Sequence, residues 1–224
     1  MKKRLFLASL AILLLLAAGS LYATTAEINF PPLKNGDLIF QTSTSSQSSA
    51  ILVATGNSYT HMGIIKDSPS GFVVVEAAGV VRETPLRAWV NRGLLNRVAV
   101  YRDETLTEEQ SQVILSSAEK YYGRAYDIFF SFNNQAIYCS ELPYLAFGEA
   151  GIPIGRVQKV SDLNFDNALV KKIIEQRWQR HEECKAKNYD FEQCYDHILK
   201  QSLVTPASIA EDKQFARIFS NYPF

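Results

Sequence analysis

The chain has 224 residues, with 23 basic and 23 acidic side chains and a formal net charge of zero. Balanced charge argues against a protein held on nucleic acid by electrostatics, and no basic run or tail marks an anionic membrane surface. The absence of a CxxC pair, of His-x-x-x-His spacing and of an EF-hand-like acidic loop makes a metal site an unexpected finding here, and no cofactor is expected either.

The first residues, Met1-Lys2-Lys3-Arg4, are basic, and Leu5 to Ala18 is an almost unbroken apolar run of 14 residues. A helix needs roughly 20 such residues to cross a bilayer. Small residues follow at Ala18-Gly19-Ser20 and Thr24-Thr25-Ala26, which fits a secretory signal peptide over about residues 1–26. Residues 27–224 are then expected to form one domain in the periplasm or another exported compartment.

Gly36 to Phe40 reads as a short strand, and the serine-rich stretch Ser43 to Ser49 as the entry to a helix over Ser48–Thr55. Tyr59 to Ile65 and Phe72 to Glu76 have the β-branched composition of strands, separated by the turn formers of Lys66 to Gly71. A hairpin centred on Ser68-Pro69 would set His61 directly opposite Glu76 on one face, with Cβ atoms roughly 5 Å apart. There a carboxylate can hold the imidazole in one tautomer and stabilise its protonated form. Val98 to Tyr101 is a further strand. Thr107 to Gln110 is a capping box that opens a helix to about Tyr122, stopped by Gly123, with Val113, Ile114, Ala118 and Tyr121 as its core stripe.

Ser140 to Gly151 reads as a helix, and Pro143 confines its start to the preceding residues because proline fits only a first turn. Cys139 therefore stands at or just before a helix N-terminus, where unpaired N–H groups and the helix dipole favour a thiolate. Together with His61 and Glu76 it supplies the parts for acyl transfer. The aromatic residues Tyr121, Tyr122, Tyr126, Phe129, Phe130, Phe132 and Tyr138 are either core or the lining of a substrate groove.

Residues from about 167 to 200 look helical and charged, and His181 and His197 read as surface residues within them. Cys184 and Cys194 flank a short polar segment. A break at Asn188, with Asp190 capping a new helix and Gln193 three residues on, would fold them into a disulfide. Cys139 would then be the unpaired thiol. The whole reads as α+β, a small antiparallel sheet packed on helices with a helical extension at about 162–203.

Gly36-Asp37-Leu38-Ile39-Phe40, Tyr59-Thr60-His61-Met62-Gly63, Val75-Glu76-Ala77, Tyr126-Asp127 and Tyr138-Cys139-Ser140-Glu141-Leu142 occur in an order that resembles the YiiX/YaeF-like permuted papain-fold enzymes. That group is related to the NlpC-type cell-wall hydrolases and to lecithin–retinol acyltransferases. The resemblance runs from about Asn35 to Gly155, with a weaker match at Val204-Thr205-Pro206. It implies a permuted papain-like fold, with Cys139 as nucleophile, His61 as base and Glu76 as the residue orienting His61. It also places Asp37, Tyr59 and Tyr138 beside the site as substrate-binding or oxyanion neighbours, without assigning their roles.

The expected activity is that of an exported cysteine hydrolase acting on amide bonds of cell-envelope material. The enzymatic alternative is a lipid-directed thiol esterase or acyltransferase; the non-enzymatic one is an inactive module that binds an envelope component. A charged substrate pocket would support the first reading, and a long apolar groove the second. The expected partner is thus an amide or ester substrate of the envelope, with possible lipid contact.

Overall fold

In a computed structural model the described residues are 28–132 and 135–223. The chain divides into two compact units, Met1–Pro31 and Pro32–Phe224. The basic start and apolar run read as a signal peptide lie outside the described residues.

The second unit is built on a six-stranded antiparallel sheet, in the order β4-β3-β2-β1-β5-β8. Its strands are β1 Leu38–Ser43, β2 His61–Lys66, β3 Val73–Ala78, β4 Val80–Pro85, β5 Gly93–Arg102 and β8 Ala216–Ser220. The central strands are continuous apolar runs because both faces are covered, and Leu38, Ile39, Phe40, Ile64, Ile65, Val74 and Val75 are all fully buried. Helix α1 spans Ser48–Thr55 and ends at Gly56 in the left-handed region. Helix α2, Leu86–Arg92, packs against β3, β4 and β5. Helices α3, Glu108–Glu119, and α4, Glu141–Glu149, pack on each other, and Ile114, Ala118, Leu142 and Phe147 join the main core.

The expected capping box opens α3: Thr107 accepts from the Gln110 N–H while the Gln110 side chain accepts from the Thr107 N–H. Its core stripe differs in one position. Val113 is exposed and Leu115 is buried, so the apolar face runs through Ile114, Leu115 and Ala118.

The hairpin register also differs from the expected one. Ile64 pairs with Val75, Ile65 with Val74 and Lys66 with Val73. The turn is Ser68–Gly71, closed by the Gly71 N–H on the Ser68 carbonyl, with Pro69 in its second position and Gly71 at φ 100°. That centres the hairpin one residue later than Ser68-Pro69. Glu76 consequently falls across from Gly63, and His61 is its diagonal neighbour on the same face rather than its direct partner. Glycine is required there, since a Cβ at Gly63 would lie 2.8 Å from the Val75 carbonyl oxygen and 3.3 Å from the Glu76 Cβ.

The C-terminal region is broken into short helices: α5 Ala168–Glu175, α6 Glu182–Ala186, α7 Phe191–Leu199 and α8 Pro206–Ala210. A two-stranded ribbon of β6, Gln158–Lys159, and β7, Ser202–Leu203, brackets the first three, and α8 follows it. Asn188 takes φ 52° between α6 and α7, and Asp190 with Gln193 forms a capping box at the start of α7. This folds Cys184 and Cys194 into a disulfide with Cα atoms 5.4 Å apart. No helix of the described residues is long and apolar enough to cross a membrane.

Candidate active site

Glu76 is fully buried and holds four donors. Its Oε2 accepts from His61 Nε2 at 2.6 Å, Trp89 Nε1 at 2.9 Å and Arg92 Nη2 at 2.5 Å, and its Oε1 from Thr84 Oγ1 at 2.6 Å. A buried carboxylate is tolerated only when so paired. Burial raises its pKa, but the bonds from His61, Arg92 and Thr84 and the His61 charge outweigh that and hold it at about 2. An ionised carboxylate only accepts, so His61 Nε2 carries a hydrogen and Nδ1 is left for another partner. Trp89 stacks on the imidazole at 5.8 Å between centroids.

For His61, burial is the largest influence and lowers its pKa. Hydrogen bonds and charge from Cys139 and Glu76 more than offset it, raising the value from 6.5 to about 9. The structure thus brings His61, Glu76 and Cys139 into one interacting set, with Cys139 buried and unpaired by any disulfide.

Cys139 stands one residue before the Ser140 N-cap of α4, with Pro143 in the first turn. Its position is pinned from both sides. The Tyr138 hydroxyl accepts from the Val204 N–H at 3.1 Å, and Ser140 Oγ donates to the Val204 carbonyl at 2.9 Å. This explains why Val204-Thr205-Pro206 belongs to the motif set although it is remote in sequence.

Tyr138 is therefore a positioning residue beside the thiol. Asp37 and Tyr59 are not at the site. Asp37 pairs with Arg102 and caps Lys34 at the other end of β1, while Tyr59 packs on Phe40, Tyr101 and Tyr222 in the core. Their expected role as neighbours of the site is corrected: both motif segments build the sheet that carries His61.

Several site residues had no role assigned from sequence. The Tyr126 hydroxyl points at Cys139 Sγ from 4.0 Å. It also accepts from Gln47 Nε2 at 3.0 Å, and Gln47 Oε1 in turn accepts from Arg177 at 2.9 Å. Burial and the nearby sulfur push the Tyr126 pKa well above the ordinary phenol value, so its proton stays in place. Asp127 accepts from the Phe129 and Ser131 N–H groups and shapes the loop that follows.

Glu141, in the first turn of α4, is fully buried and accepts from the Tyr138 N–H at 3.2 Å. Burial raises its pKa from 4.5 to about 8, so it holds a proton at neutral pH. Its folded-state value exceeds the unfolded one, so the stabilisation is whole below pH 4.5 and is lost as pH rises through about 8. Glu141→Gln, which keeps an acceptor for Tyr138 and cannot ionise, is expected to match the wild type at pH 4.5 and to exceed its melting temperature at pH 9, as read by calorimetry at the two pH values.

Two pockets meet at this set. One contains Cys139 and is walled by Ile51, Ala54, Phe129, Phe130, Leu163, Phe165, Ile173, Ile174, Ile198 and Leu203, with Gln47 and Arg177 among its few polar groups. The other contains His61, Thr60, Tyr126, Arg82 and Arg92. Gln47 borders both. Of the aromatic group, Phe129 and Phe130 line the apolar pocket, and Tyr126 lines the polar one.

His181 is not a surface residue. It is buried, caps α6 through Nδ1 and meets Phe129 edge to face at 4.9 Å. Among the described residues, the group of side chains with donor atoms close enough to hold a metal is His181, Cys184 and Cys194. As folded, its two sulfurs are bonded to each other. A disulfide supplies no thiolate, so the set does not fit a metal in this state.

The model of the permuted papain-like amidase enzyme family YaeF/YiiX, C92, matches residues 32–219. The YiiX protein of Escherichia coli (strain K12) is 31% identical over 192 residues, covering 85% of this chain and 88% of that protein. The crystal structure of yiiX from Escherichia coli O157:H7, described as a metalloprotein, superposes with a TM-score of 0.75 at 31% identity, over 85% of this chain and 98% of that one. With its antiparallel sheet, its helices and a family match across nearly the whole second unit, the chain belongs to the permuted papain-like amidases of the YaeF/YiiX family.

Proposed function

We propose that the protein is an exported cysteine amidase of the cell envelope whose preferred acyl group is a long aliphatic chain. The observation that carries this is the apolar pocket opening on Cys139. An acyl chain in that pocket would bring its carbonyl to the sulfur, leaving the amine side toward His61, Arg82 and Arg92. A cell-wall peptide has a polar acyl side and would gain little from walls of isoleucine, leucine and phenylalanine. The lipid-directed alternative is thereby favoured over peptide cleavage, with amide chemistry retained from the family.

Cys139 gives its proton to His61 Nδ1, and the thiolate forms a bond to the carbonyl carbon. The oxyanion is met by the Cys139 backbone N–H at the start of α4 and by the Tyr126 hydroxyl. His61 delivers the proton to the leaving nitrogen as the C–N bond breaks, which leaves a thioester. Water, deprotonated by His61, releases the fatty acid and restores the thiol. Glu76 holds the ring throughout and stabilises the imidazolium.

The test is a series of N-acyl amides of one amine, with acyl chains of increasing length. Each added CH2 that enters the pocket contributes ~0.8 kcal/mol, so kcat/KM is expected to rise about fourfold per methylene until the pocket is full. Ala54→Trp, which fills the pocket, should move that plateau to shorter chains while leaving the shortest substrate unaffected. Faster cleavage of short peptide amides than of every long-chain substrate would return the peptide reading to first place.

A further inference from the structure

Resting on the amidase reading above, in which the pocket beside His61 receives the leaving amine, we propose that this pocket is an anion subsite. It selects amides whose amine side carries a carboxylate or a phosphate, with Arg82 as the principal contact and Arg92 as the second.

Arg82 stands directly opposite Glu76 in the β3–β4 pairing, so its side chain shares the face of the sheet that carries Glu76 and His61. It also lines the His61 pocket. Glu76 does not neutralise it, because that carboxylate is buried and already occupied by His61, Trp89, Arg92 and Thr84. Glu83, next in sequence, projects from the opposite face of β4, where it binds Lys66 and Tyr122. Among the described residues, the Arg82 guanidinium thus has no ion-pair or hydrogen-bond partner.

Arg92 is half-buried and gives one N–H to Glu76, which leaves the rest of its guanidinium for the pocket. A further wall is made by Ser43, Thr44 and Ser45. That segment is tied down at two points. The Thr44 hydroxyl donates to the Arg92 carbonyl, and the Ser43 N–H donates to the buried Thr60 hydroxyl. Ser43 Oγ accepts from the Ser45 N–H, so its own hydrogen remains to be donated. The lining contains no carboxylate, and Ala77, Ala78 and Gly79 leave it room for a head group.

The charges decide what fits. Once His61 has protonated the leaving nitrogen and the amine has taken up a second proton from water, two guanidinium groups repel it. An anion on the same molecule cancels that repulsion. It also accepts the forked hydrogen bonds that guanidinium offers a carboxylate or a phosphate. The apolar pocket then chooses the acyl group, and the arginine pocket chooses the amine.

The experiment uses two matched pairs of amides with one acyl chain, all below micelle formation: N-dodecanoylglycine against N-dodecanoylglycinamide, and N-dodecanoylphosphoethanolamine against N-dodecanoylethanolamine. Binding is read by calorimetry on the Cys139→Ala chain, and kcat/KM on the wild type. The anionic member of at least one pair is expected to be favoured about tenfold, and the pair with the larger ratio identifies the anion. Arg82→Gln should bring that ratio to within about twofold of unity, while Arg82→Lys should keep part of it. Raising the salt from about 0.05 M to about 0.5 M should shrink it. Ratios near unity in both pairs, or a ratio untouched by Arg82→Gln, would overturn the proposal. Should no amide be hydrolysed, the calorimetric ratio still decides. Repeating both pairs with a butanoyl chain separates the subsite from the acyl preference. An anion preference that persists without any gain from chain length would keep the subsite and sink the long-chain reading. A gain from chain length without an anion preference would sink the subsite alone.

Discussion

Cys139→Ala is expected to abolish hydrolysis, lowering kcat by about a thousandfold or more, while the protein stays folded. The buried sulfur is one atom of a well-packed site, and its removal should cost at most ~3 kcal/mol. Residual turnover near the wild-type rate would remove Cys139 from the chemistry. The companion variant is His61→Ala. Without the imidazolium beside it the sulfur loses its charged partner, so alkylation by iodoacetamide at neutral pH should slow markedly. The pH profile gives a second check. His61 is raised from 6.5 to about 9, so its protonated form is fully in place below 6.5 and is lost as pH rises through about 9. Activity that depends on the imidazolium should fall along that alkaline limb. Glu76, held at about 2, contributes no titration at mildly acid pH. An alkylation rate indifferent to His61 would make Cys139 a core residue and favour an envelope-binding role.

The parts legible in sequence were those with local causes. Thr107 with Gln110 marked the start of α3, and Asn188 with Asp190 and Gln193 marked the break that closes the Cys184–Cys194 bridge. The hairpin was visible in its β-branched runs, but its register depended on which turn the Ser68–Gly71 segment forms, and a one-residue shift in that centre moved the His61–Glu76 relation from direct to diagonal. The remaining site groups depended on contacts distant in sequence. Arg177 and Gln47 are 130 residues apart, and nothing local marks either as part of a hydrogen-bond chain to Tyr126. Trp89 and Arg92 lie on a seven-residue helix whose mixed sequence has no clear period. The apolar pocket is assembled from α1, the Phe129–Phe130 loop, α5, α7 and β7, so no single stretch of sequence carries its signature. His181 sits among charged residues, yet it turns inward because its Nδ1 caps α6.

Glu76→Ala should be the most destabilising single change at the site, by ~3–5 kcal/mol, because it leaves the buried donors of His61 and Trp89, and the half-buried one of Arg92, facing an empty space. Glu76→Gln fills that space but trades a charged double acceptor for one carbonyl and one amide donor. One of the four present donors must then meet an N–H group, and the imidazolium loses its counter-charge. Turnover should drop by roughly a hundredfold or more, since the ring is no longer held in one tautomer. The thiol's alkylation should change less than in His61→Ala, because the imidazole remains beside the sulfur. Arg92→Met separates orientation from charge. Arg92 is one of four donors and its side chain is 35% exposed, so its loss should cost ~1 kcal/mol and leave the His61–Glu76 bond standing. Denaturant unfolding and kcat measured on the three variants should therefore rank Glu76→Ala, then Glu76→Gln, then Arg92→Met in severity. If Arg92→Met were as damaging to turnover as Glu76→Gln, the arginine and not the carboxylate would be the group that sets the imidazole, and the role assigned to Glu76 would fall.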